Sequence, residues 1–167
     1  LDRPDLARSE VRIGLLCPPQ TDPGALALQI AEQVFVGAGP SSRLARVLPG
    51  SGMAPADLRT SFVNLRDAGL LNMGGPVRTD SVAIFVARVR DELARLIARP
   101  PDEAEVVAAR RTLAGGFPLQ FQTPAALLGQ WGGAEACGLD AAWLDRYGTA
   151  IATVPPASVA GAAARWL

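Results

Sequence analysis

Residues 58–99 read LRTSFVNLRDAGLLNMGGPVRTDSVAIFVARVRDELARLIAR, and the hydrophobic period changes part-way along them. Leu58 to Leu65 and Leu70 to Val77 read as strands on either side of Arg66-Asp67-Ala68-Gly69, a turn with glycine placed for a positive φ, so they predict an antiparallel hairpin. From Thr79 to Arg99 the residues Val82, Phe85, Val86, Val89, Leu93, Leu96 and Ile97 instead follow the helical period. Asp91 and Arg95 lie four apart on the outer face and predict an ion pair there.

Upstream of the hairpin, Ser9 to Leu16 alternates, with Val11, Ile13 and Leu15 on one face and Glu10 and Arg12 on the other, as in a half-buried strand. Cys17-Pro18-Pro19 ends it. Asp22 as cap and Pro23 at the first helical position predict a helix to about Phe35, with Leu26, Ile30 and Val34 as its apolar stripe and Gly37 to Pro40 as its break. Ser41 or Ser42 caps a short helix through Leu48. The stretch Pro49 to Ala56, with two prolines and two glycines, reads as an irregular, mobile loop. Downstream, Pro100-Pro101 stops the long helix. Asp102 with Glu105 makes a capping-box start for a helix to about Ala114, before Gly115-Gly116. Further helices are expected over Pro124 to Cys137, Ala141 to Ala152 and Pro156 to Leu167. Strand, helices, hairpin and then a run of helices is the order of an α+β domain, not of an alternating parallel fold. No repeat or low-complexity linker divides residues 1–167, which read as one domain.

Composition narrows the chemistry. The 167 residues contain no Lys and no His, and sixteen Arg balance sixteen Asp plus Glu. Without His there is no Ser/His/Asp or Cys/His nucleophilic site and no imidazole zinc ligand; without Lys there is no Schiff base and no Walker lysine. Zero net charge argues against a nucleic-acid surface. Cys17 and Cys137, far apart and outside any C-x-x-C spacing, read as buried thiols. No run of about 18 apolar residues spans a bilayer, and the opening LDRPDLARSE is not a signal peptide, so the chain reads as soluble. It begins without Met, which reads as a piece of a longer product, and cytoplasm and periplasm both stay open. The Arg, Ala, Gly and Pro usage suggests a bacterial genome of high GC content. Glycines at 37, 39, 50, 52, 74 and 75 lack the spacing of a phosphate cradle. Asp102, Glu103 and Glu105 sit at a helix start and read as capping groups, not metal ligands. Trp131, Trp143, Trp166 and Tyr147 fall in predicted packed helices and read as partly buried.

FVGAGPSSRL at residues 35–44, the opening RPDLARSEVRIG, the hairpin LRDAGLL, RRTLAGGFPLQFQTP and the ending WLDRYGTAIATVPPASVAGAAARWL together resemble the pitrilysin and insulinase family of zinc metallopeptidases, to which the mitochondrial processing peptidases belong. The likeness is to the C-terminal, non-catalytic domain. It implies a mixed, largely antiparallel sheet with helices packed on one side, and a homologous zinc-binding domain or subunit that closes with this one around a peptide substrate. The zinc, held by an inverted H-x-x-E-H motif with a further Glu, is implied in that partner. No catalytic residue, metal ligand or cofactor is expected in this chain. The resemblance also implies a final strand after the last helix, which the sequence stops short of, and the sheet edge left open makes a homo-oligomer an expectation.

The family directs an arginine and a tyrosine of this domain at the substrate backbone. A gapless match from SSRL to LRDAGLL puts Pro49 and Ala56 at those positions, and neither donates a side-chain hydrogen bond. Arg46, three residues before Pro49, and Arg59, three after Ala56, remain as substrate-binding candidates beside the plainer reading of solvated arginines. The sequence therefore supports a chamber-forming domain of a zinc peptidase. It also supports a degenerate member kept as a structural or assembly subunit, as in the core subunits of respiratory complexes.

Overall fold

Strand β3, Gly69–Arg78, runs through the middle of an antiparallel sheet of order β1-β3-β2, between β1, Arg8–Cys17, and β2, Arg59–Asn64. The computed structural model describes residues 6–37, 41–140 and 142–167. The register sets Ile13 opposite Met73, and Leu15 and Phe62 on either side of Leu71. Those residues share the inner face with Val11, Cys17 and Val77, while Glu10, Arg12, Ser61 and Val63 face outward. The α+β class stands, with every pairing among the described residues antiparallel.

Helix α1, Ala25–Val36, follows β1; α2, Arg43–Val47, leads to an irregular crossing and a 3-10 turn at Pro55–Asp57 before β2. After β3 come α3 (Val82–Ala98), α4 (Glu103–Gly116), α5 (Pro124–Ala136), α6 (Trp143–Thr153) and α7 (Pro156–Trp166). A 3-10 turn over Phe117–Phe121, not foreseen, joins α4 to α5. The Ser42 hydroxyl accepts from Ala45 N–H, and Asp102 and Glu105 form a reciprocal capping box, both as their sequence patterns indicate. α1 packs against α2, α4, α6 and α7. Leu28, Ile30, Phe35, Leu71, Met73, Phe85, Leu96 and Ile151 are fully enclosed in the common core.

Several local expectations change. The Asp22 carboxylate accepts from Gly24 N–H at 2.7 Å and stabilises a turn, so α1 starts at Ala25 and not at Pro23. Its buried surface extends well beyond the Leu26, Ile30, Val34 stripe. The break after it is seen at Gly37, and residues 38–40 lie outside the described residues. Gly69 is extended, not at positive φ; it is needed because a Cβ there would come within 2.7 Å of Pro18 O. Arg95 pairs with Glu92 at 3.1 Å in place of Asp91, an i,i+3 partner on the inner side of α3. Ile97 and Trp131 are exposed.

Gly74 and Gly75 are where β3 depends on glycine. Their φ values are +148° and +155°, and a Cβ would stand 2.0 Å from Val11 O at the first and 2.4 Å from Asp57 O at the second. Gly161, on the open side of α7, meets nothing within 4 Å. Urea denaturation should show Gly74→Ala destabilised by about 2 kcal/mol or more, and Gly161→Ala stabilised by about 0.5–1 kcal/mol.

Candidate functional site

The segment between α2 and β2 holds both positions at which the resemblance calls for substrate contacts. It is irregular, as its prolines and glycines indicate, but it is packed. Ser51 and Met53 are buried, Ser51 N–H bonds Leu48 O at 2.8 Å, and Arg78 N–H bonds Gly52 O at 2.9 Å. Arg88, on α3, donates to the carbonyl of Val47 at 2.5 Å and to that of Pro49. These carbonyls end α2, so the guanidinium caps the helix and fixes the chain leaving it. Pro49 and Ala56 are exposed, and neither side chain can donate or accept a hydrogen bond. An anchored crossing therefore replaces the mobile loop anticipated from its composition.

Arg46 and Arg59 are not brought together. Arg46 borders a recess of ≈ 250 Å³ with Gln33, Ser42, Glu105 and Thr112, where its Nε and Nη2 donate to Ser41 O at 3.0 and 2.6 Å. Its Nη2 stands 3.9 Å from Glu105. Arg59 borders a separate recess of ≈ 460 Å³ with Val36, Gly37, Ala45, Pro55 and Thr60. No ion pair engages it among the described residues.

Two polar arrangements escaped sequence reasoning. Arg43, only 13% exposed in its side chain, donates Nε and Nη2 to both oxygens of Glu105 at 2.9 and 2.6 Å, and Nη1 to Arg99 O at 2.7 Å. That hydrogen bond holds the Glu105 carboxyl below its ordinary range. The pair ties α2 to the start of α4 across 62 residues of sequence, a separation no local pattern reveals. The second arrangement grows from the few polar residues of α1. Tyr147 OH donates to Gln29 Oε1 at 3.0 Å, and Gln29 Nε2 donates to Gln20 Oε1 at 3.2 Å. The Tyr147 ring stacks on Phe117, with centroids 4.1 Å apart, and tilts against Trp143 at 5.3 Å. Burial, and secondarily the charge of Glu32, push its phenol up to about 12. Glu32 itself is half-buried, and desolvation pushes its carboxyl up to about 7. A lone acid in the run ALALQIAEQVFV was the available signal for it.

The zinc site of the resembling peptidases does not fit these residues. The sequence has no His, the thiols of Cys17 and Cys137 are buried, and no group of three or more acids and cysteines among the described residues could hold a metal. No helix among them is long and apolar enough to cross a membrane.

Residues 1–113 match the family model of the peptidase M16 inactive domain. The chain belongs to that family. The match ends within α4, but structural likeness extends over the remaining helices. The M16 inactive domain from Pseudomonas fluorescens superposes with a TM-score of 0.82 at 19% identity, covering 97% of this chain and 38% of that one. The inactive peptidase domain of a candidate zinc protease from Bordetella parapertussis gives 0.81 at 18% identity, covering 99% and 87%. A chain of complex III2 from Candida albicans gives 0.76 at 14% identity, covering 95% and 40%. The chain thus spans less than half the length of the Pseudomonas and Candida proteins. No curated protein matches it. The M16 assignment agrees with the resemblance read from SSRL, LRDAGLL and the closing helices.

Glu32 gives this M16 domain a specific pH dependence. Its folded pKa, about 7, lies above its ordinary 4.5, so the protonated acid is the form the fold favours. Its contribution to stability is complete below pH 4.5 and is lost as pH rises through 7. Denaturation midpoints measured from pH 4.5 to 8 should fall by this amount in the parent, while Glu32→Gln should remove that part of the slope and be the more stable protein at pH 8. An unchanged slope in the variant would contradict the assignment.

Proposed function

We propose that residues 1–167 act as one C-terminal-type domain of a zinc metallopeptidase, forming part of the wall and closure surface of a peptide chamber. A homologous zinc-binding domain or subunit supplies the metal and the general base. The observation that carries this reading is the combination of membership in an inactive M16 domain family with a sequence lacking His altogether. Such a chain has no means of activating water as the family's zinc half does, so its contribution is shape and contact.

A second reading, a subunit kept for assembly alone, is favoured by Pro49 and Ala56. These stand where the resemblance places the family's substrate-contacting arginine and tyrosine, and a chain of a multisubunit assembly, complex III2, shares the fold. The two readings differ in one outcome. Metal analysis and a fluorogenic peptide panel should find neither stoichiometric zinc nor turnover in the isolated chain. Adding the zinc-binding partner should produce cleavage that is lost when this chain is withheld. Zinc near one equivalent per isolated chain would refute both readings; an assembled but inactive complex would select the second.

A further inference from the structure

The order β1-β3-β2 leaves β2 with a ladder partner on one side only, and the backbone groups on its other edge have none among the described residues. Such a row of alternating donors and acceptors is complementary to another extended backbone. β1 also has an open edge, but its arginines are engaged: Arg8 with Asp57 at 2.9 Å and Arg12 with Glu10 at 2.6 Å. Along β2 the situation differs. Arg59 at its start and Arg66 just past its end are exposed and have no ion-pair or hydrogen-bond partner among the described residues. Residues 59–66, RTSFVNLR, include no acid, the first being Asp67. In a chain with zero net charge, this edge has a local positive excess. At the Arg59 end it opens on the ≈ 460 Å³ recess lined by Val36, Gly37, Ala45, Pro55 and Leu58, which has room for a side chain.

We propose that the outer edge of β2 receives an extended peptide as an added strand and that Arg59 selects peptides with an acidic side chain beside it. The proposal rests on the reading of this chain as part of a peptide chamber and narrows the substrate class to extended, acidic segments. Arginine on an edge strand also discourages self-pairing, but that role alone gives no preference for acidic over neutral strands.

The test uses the isotope-labelled 167-residue chain and four synthetic probes. These are acetylated, amidated Thr-Val-Glu-Val-Thr-Val, its counterparts with Gln or Lys in place of Glu, and the Glu peptide N-methylated at alternate amides. The Glu peptide should bind about fivefold more tightly than the Gln peptide and more tightly still than the Lys peptide, and should slow exchange at alternate amides of residues 59–64. N-methylation should abolish binding, and Arg59→Gln should make the Glu and Gln peptides equivalent with the circular dichroism unchanged. Equal binding of the Glu and Lys peptides, or protection along β1 instead, would overturn the proposal. So would β2 protection that grows with protein concentration without peptide, which identifies a second copy as the occupant. An active complex with the zinc half that binds none of these probes at β2 would overturn it while leaving the chamber reading intact. Selective binding at β2 in a complex that cleaves nothing would support it and count against the chamber.

Discussion

The burial of α1 is the constraint on which the remaining architecture depends. Eight of its twelve residues are buried, and Leu28, Ile30 and Phe35 lose all contact with solvent. A helix apolar over so much of its circumference must be covered on several sides, each large side chain contributing about 1.5–3 kcal/mol when enclosed. α2, α4, α6 and α7 supply that cover, while β1 and β3 turn Ile13, Leu15, Leu71 and Met73 toward the same core. The polar residues of α1 follow from this arrangement. Gln29 has a partner in Tyr147, and Glu32 is desolvated. The covering helices thus set the chemistry of the few polar groups they enclose.

Much of this was legible locally. The switch of hydrophobic period across residues 58–99 gives the hairpin and α3, and the Asp102–Glu105 capping box and the proline stops place the later helices within a few residues of their observed ends. What was misread depended on atoms distant in sequence. Gly69 has the composition of a turn residue but answers to Pro18 O, and Asp22 satisfies a turn before α1 instead of its first N–H groups. Trp131 falls in a helix of the expected length, yet α5 buries only Ala134, so helical spacing alone misassigned its environment.

At the candidate site the sequence was informative through what it lacks. The absence of His excludes the family's zinc chemistry, and Pro49 and Ala56, at the two positions where the resemblance implies an arginine and a tyrosine, carry no hydrogen-bonding side chain. Its limits are seen at Arg46 and Arg59, similar in one dimension but placed on different recesses because α2 turns one face to α4 and another toward β2. Arg88 shows the same limit from the other side. Its strut to Val47 and Pro49 converts a flexible composition into an anchored crossing, and nothing in the spacing of α3 marks that residue for the task.

Native-state hydrogen exchange tests the central role of α1 most directly. If the helix opens only when the whole fold does, the amides of Ile30, Ala31, Val34 and Phe35 exchange with a free energy equal to that of global unfolding measured by denaturant, and share its denaturant dependence. Exchange of those four amides through a smaller, denaturant-independent opening, while β3 remains protected, would contradict the account.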